Sequence, residues 1–150
     1  MALDIDNYLN RITALQRTVT GSNTHASKVV FYRQSDYPYW TNHVGITTPT
    51  QFSATEFAYE ITVTMRLHRG LVNEGEDTQL ETVCLADIPS VLNAFLTNRL
   101  LTVDTYTEPQ AGFAPGTLRI TSDGVVAIPS GASEDMGSQY SLLWVHYEEE

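Results

Sequence analysis

Four histidines, one cysteine and a short run of acids are the residues of this 150-residue chain best suited to chemistry. His25, His43, His68 and His146 never stand three or four apart, so no single helical face presents two of them to a metal. His68 and His146 on neighbouring strands could hold zinc between them. The simpler reading is two hydrogen-bonded strand histidines. Glu74, Glu76 and Asp77 offer oxygen ligands, but their spacing departs from a twelve-residue calcium loop and reads as a solvated acidic turn. Cys84 falls on the apolar side of a predicted helix, with no electropositive neighbours to stabilise a thiolate, and behaves as a small hydrophobe. The run Gly112-Phe-Ala-Pro-Gly116 has two glycines but neither the lysine nor the following helix that cradles a phosphate. No dinucleotide fingerprint and no nucleophile elbow occur. The expectation is a protein that is not an enzyme and takes no cofactor or metal.

The elements that would position these residues follow from periodicity. Ile5, Tyr8, Leu9, Ile12 and Leu15 recur at helical spacing, Asp4 can cap the start, and Thr18 to Gly21 end the helix. A polar connector over 21–27 and a short strand over 28–33 follow. From 56 to 68 the chain alternates: Phe57, Tyr59, Ile61, Val63, Met65 and Leu67 face one way, Glu60, Thr62, Thr64, Arg66 and His68 the other. That is a half-exposed antiparallel strand of roughly 40 Å, longer than a small core needs, so part of it should project. Residues 79–100 read as helical, with Pro89 predicting a kink or two helices, the second capped by Asp87. Strands are expected over 100–107, over 116–129 with a hairpin turn at Asp123-Gly124, and over 139–150, with a flexible loop at 130–138. In the last strand Leu142 and Trp144 face one way and Leu143, Val145 and Tyr147 the other, so it should be central or covered. The order predicts one α+β domain over 1–150, an antiparallel sheet with two helices packed on one side.

Bulk properties restrict partners. Eight Lys plus Arg against eighteen Asp plus Glu leave a net charge of −10, unsuited to gripping nucleic acid. A single cysteine excludes an intrachain disulfide. The early acids in the first ten residues are unlike a secretory signal, and no apolar run suggests a membrane span. Assembly in a cytoplasm is expected.

The stretch 35–52 is long, Pro-containing and aromatic. It reads as part of a protruding loop or arm over 34–56, because tyrosine and tryptophan give large contact area at interface cores. Tyr37, Tyr39, Trp40, Phe52, Glu60, Arg66 and His68 are the expected subunit-interface residues. Head-to-tail contacts of one arm per copy close into rings.

Leu9, Asn10, Arg11, Ile12, Ala14, Leu15, Gln16, Thr18, Val19, Thr20 and Gly21 resemble the opening helix of tail-terminator (tail-completion) proteins of long-tailed phages. The order of elements is similar to that family's α+β fold. The resemblance implies a homohexameric ring that ends the tail tube and joins it to the head connector. Partners would be further copies of the chain, the tail-tube protein and a head–tail connector or stopper protein, with DNA only as passing cargo. The location would be the neck or tail of the virion. An acidic lumen suits that role, since it repels phosphate. Neighbouring readings are a head-completion or stopper protein and a tail-tube subunit. A reading of another class is a small-ligand-binding or hydrolytic α+β domain with a pocket between sheet and helices.

Overall fold

The computed structural model describes residues 3–21, 25–27, 37–47, 49–51, 53, 55–72, 77–130 and 133–149. Two helices, α1 (Ile5–Thr20) and α2 (Asp77–Thr97), lie on one six-stranded sheet. The strands are β1 (His25–Ser27), β2 (Tyr39–Ile46), β3 (Thr50–Gln51), β4 (Glu56–Leu71), β5 (Arg119–Ser130) and β6 (Ser133–Glu149). Their spatial order is β1-β2-β4-β6-β5, with β3 alongside β4. Every pairing is antiparallel except β1 with β2. This is the α+β architecture that the sequence predicts.

Alternation decides which side each strand buries. Trp40, Asn42, Val44 and Ile46 stand opposite Leu67, Met65, Val63 and Ile61, and these in turn meet Tyr140, Leu142 and Trp144 around the β4–β6 ladder. This face carries the core, closed from above by Tyr8, Ile12 and Leu15 of α1 and by Val91 and Phe95 of α2. Strand β6 is central, flanked by β4 and β5. Its other face is only partly covered: Leu143 and Val145 are half-buried and Tyr147 is exposed.

Helix α1 is bounded as expected. Asp4 accepts from the Asn7 amide at 3.1 Å, and Gly21, at φ 99°, returns its amide to the Arg17 carbonyl. Polar side chains then fix its position. Arg11 donates to the carbonyls of Leu101 and Glu108 at 2.8 and 2.7 Å and lies over the Tyr106 ring. Gln16 and Asn42 exchange amide hydrogen bonds at 2.6 and 3.1 Å, and Thr20 accepts from the Trp40 indole at 3.0 Å.

Several expectations are corrected. Residues 25–27, read as connector, form β1; the strand read over 28–33 lies outside the described residues. Over the expected arm, Tyr39–Ile46 is a strand of the domain's own sheet, because Tyr39 and Trp40 find buried partners within the chain. Beyond them, the described residues 43–47 and 49–51 are exposed. Helix α2 is one element with Pro89 inside. Packing of Cys84, Val91 and Phe95 outweighs the proline's cost of about 3 kcal/mol. Asp87 caps nothing there; both its oxygens are taken by Arg69, at 2.6 and 2.7 Å. Asp123-Gly124 is a bulge inside β5, where Ser122 and Gly124 face consecutive residues of β6 and Asp123 is extra. Most of the expected 130–138 loop is strand, because Ser133–Ser138 pairs with β5 and, from Asp135, with β4. Residues 100–107 give only a tight turn, with Val103 bridged to Tyr106. Finally, α2 over Gln79–Thr97 is apolar and long enough to match a membrane span by length and composition alone.

Candidate functional site

Among the described residues, Asp135 is the hub of a cluster where three of the expected site residues, Tyr37, Tyr39 and His68, meet. It stands near the start of β6, fully buried, and its carboxylate is surrounded by donors. The Tyr37 hydroxyl donates to Oδ1, the Tyr39 hydroxyl to Oδ2 at 2.7 Å, and His68 Nδ1 meets Oδ2 at 2.7 Å. His68 lies flat against the Tyr39 ring, 4.3 Å between centroids and 13° between planes. Its Nε2 meets the Thr41 hydroxyl at 3.1 Å. A buried carboxylate is tolerable only when its lone pairs are filled, and three partners do so here.

Local sequence explains each position. Tyr39 and Thr41 alternate with Trp40 and Asn42, so the first pair lies on the face away from the helices and the second faces α1. His68 sits next to a register step in β4 between His68 and Gly70. Opposite His68 is Gly137, where any side chain would run into the Leu67 carbonyl. The closeness of β4 and β6 at this point therefore requires glycine.

Electrostatics favour a neutral imidazole. Burial pushes the His68 pKa down, opposed by the hydrogen bond and charge of Asp135. With Nδ1–H directed at Asp135, Nε2 accepts from Thr41. Burial, then Asp135, pushes the Tyr37 phenol up, which keeps it protonated as a donor.

Thr41, His68 and Asp135 thus stand in the order of hydroxyl, base and orienting acid seen in nucleophilic catalysis. Turnover needs the hydroxyl to reach a substrate, and Thr41 is 1% exposed and His68 3%. Two grooves among the described residues open on the other, helix-bearing side. One, of 780 Å³, runs between α1, α2 and the 102–107 turn; the other, of 460 Å³, lies beside Arg11 and Tyr106. Through Asp135 the cluster links β2, β4 and β6.

The remaining expected residues are dispersed. Trp40 faces α1 and is fully buried. Tyr39 and Trp40 are consumed within the chain, which corrects their assignment as anchors for a neighbour. Arg66 donates to Gln139 at 2.8 Å, half-buried on the open sheet face. Glu60 is exposed on β4. Phe52 lies outside the described residues, as do Glu74 and Glu76.

His146 is on the opposite face from His68, bonded to the Tyr8 hydroxyl at 2.7 Å, so the two histidines do not share a site. Among the described residues no group of three or more His, Cys, Asp or Glu is placed to hold a metal ion. Cys84 is buried, and burial pushes its thiol up to about 11. The Gly112–Gly116 run lies along β6, where Ala114 donates to the Val145 carbonyl and Gly112 accepts from Tyr147.

Sequence reasoning missed Asp135 and Thr41, and read Asp87 as a helix cap where it is the partner of Arg69. The available signal for the first was a lone acid within reach of two tyrosines and a histidine, which only the sheet register brings together. No protein-family model matches the chain, and no curated protein matches it.

Proposed function

We propose that the chain is a structural subunit of a long-tailed phage virion, forming a ring, six-fold by resemblance, that ends the tail tube and joins it to the head connector. The observation that carries this reading is the α1 stretch Leu9–Gly21. Its apolar residues Leu9, Ile12 and Leu15 are buried in the core. Its polar residues Arg11, Gln16 and Thr20 and the backbone amide of Gly21 each make a defined bond that seats the helix or ends it. A motif without reactive groups is thus intelligible as the fastening of a scaffold. The exposed residues 43–47 and 49–51, Val44 and Ile46 among them, supply surface for neighbouring copies. The net charge of −10 suits a lumen through which DNA passes without being held. On this reading the protein performs no catalysis and binds no cofactor. Its partners are its own copies, the tail-tube protein and a connector or stopper protein.

Negative-stain imaging and mass measurement, with and without tail-tube ends, test the proposal. Closed rings are the expected result. A strict monomer under both conditions overturns it.

A second reading, a small-ligand-binding domain, is favoured by the 780 Å³ groove lined by Asn93, Asn98, Asp104 and Tyr106. Ligand screening by amide chemical shifts at these residues checks it; unmoved resonances reject it.

A further inference from the structure

Helix α2 commits one side to the core through Cys84, Asp87, Val91 and Phe95. Beside that side runs a second apolar stripe at helical spacing: Leu85, Pro89, Leu92 and Leu96. Leu85 is 53% exposed and Leu96 46%, Pro89 is exposed and Leu92 half-buried. No cation occurs between Asp77 and Asn98. Glu81, exposed, precedes the stripe by one turn, and Arg99, exposed, follows it. Neither is in an ion pair among the described residues.

We infer that this stripe is a two-fold contact at which α2 of a second copy of the chain docks antiparallel. Charge complementarity and symmetric spacing together select this occupant. With the axis between Ser90 and Val91, Leu85 of each copy falls beside Leu96 of the other and Pro89 beside Leu92, and Glu81 comes near the partner copy's Arg99, in the turn just past the end of α2 at Thr97. A two-fold interface must be self-complementary in this way, one patch serving as both halves. The flat Pro89 near the axis lets the helices approach closely. A parallel arrangement would instead set Glu81 on Glu81. A lipid surface is the less fitting occupant, since Cys84, Asp87, Val91 and Phe95 tie the helix to the sheet, and the Arg69–Asp87 ion pair pins it further. One helical stripe is a small interface, so the dimer should be weak and concentration-dependent. The contact is separate from head-to-tail closure of a ring and does not require it.

Cysteine cross-linking of the full chain tests the geometry. Leu85→Cys and Leu96→Cys are made separately, leaving buried Cys84 in place, and oxidised alone and mixed. A disulfide dimer in the mixture that neither variant forms alone supports the antiparallel register. Equal cross-linking of either variant with itself, or none in the mixture, overturns it. Sedimentation equilibrium should show reversible dimers of the wild type, weakened about tenfold or more by L85D/L96D with the circular dichroism of the monomer unchanged. Glu81→Arg and Arg99→Glu should each weaken the dimer and together restore it; failure to restore it overturns the proposed antiparallel contact. Flotation with phosphatidylcholine–phosphatidylglycerol vesicles that L85D/L96D abolishes, with no dimer in solution, assigns the stripe to lipid and overturns the inference. Rings that form while α2 stays uncross-linked would leave the proposed function standing and this contact refuted.

Discussion

His68 and Asp135 meet at 2.7 Å across β4 and β6 although neither is the other's register partner. Gly137 stands opposite His68, and Leu71 opposite Asp135. The register step between His68 and Gly70 brings the side chains together, so an irregularity in the ladder serves as the seat of its most polar contact. Two tyrosines from the segment entering β2 close the same carboxylate, and one side chain thereby joins three parts of the chain.

Removing that side chain should be costly. Asp135→Ala leaves Tyr37, Tyr39 and His68 without their shared acceptor and should destabilise the fold by about 3–5 kcal/mol. Asp135→Asn should cost less, since the amide oxygen still accepts. Urea unfolding followed by tryptophan fluorescence measures both. Equal stability of the alanine variant and the wild type would show that the cluster contributes nothing.

Acid should loosen the same cluster. Burial holds the His68 pKa below its unfolded value of about 6.5, so as pH falls the unfolded chain takes up the proton first. The stability due to neutral His68 is complete above that pH and is lost as pH drops through it toward the folded value. Thermal unfolding between neutral pH and mild acid should show the decline, and His68→Gln should flatten it. A variant with an undiminished slope assigns the effect to other groups.

Alkali acts in the opposite direction on the buried phenols. Burial raises the pKa of Tyr8 and Tyr37, and that of Tyr140 to about 12. Unfolded tyrosines ionise near pH 10, so the stability that these groups confer is present below that pH and lost above it. Ultraviolet titration should find a set of phenols ionising only as the protein unfolds. Smooth titration of every tyrosine near pH 10 in folded protein contradicts this.

Trp40 is expected to be a folding residue. Trp40→Ala should cost about 3–5 kcal/mol, since it empties a fully buried site between α1 and the sheet. Monomer unfolding is the readout. An unchanged monomer that no longer assembles would return Trp40 to an interface.

Cys84 should resist thiol reagents in the native state. Its pKa of about 11 and its burial leave little accessible thiolate at mildly alkaline pH. Labelling should proceed at the rate of unfolding and become fast in denaturant. Rapid native labelling would show that α2 opens locally.

Much of this fold is legible where one face of an element is buried. The alternation from Phe57 to Leu67 and the spacing from Ile5 to Leu15 each have a single period, and the structure uses both. Tyr39 to Asn42 are buried on both faces, and a strand buried on both sides has no alternation to read. The 130–138 stretch is rich in Ser, Gly and acids, the composition of a loop. Its burial comes from partners that lie 67 to 98 residues away. No local rule connects Asp135 to Tyr37. Pro89 misled for a related reason, since a propensity near 3 kcal/mol is decided by what the helix packs against.

The pairing of β4 with β6 has a consequence for how the chain reaches this state. Strands β5 and β6 are joined by a short connection, and β2 adjoins β4 across a similarly local one, so each pair can zip up early. The seam between the pairs sets Ile61 against Trp144, with all of α2 intervening in sequence. Closing so long a loop precedes any reward from the contacts it brings, so this seam is expected to form after the two local pairs. Until it closes, both pairs present a bare hydrogen-bonding edge, and two chains could exchange halves there.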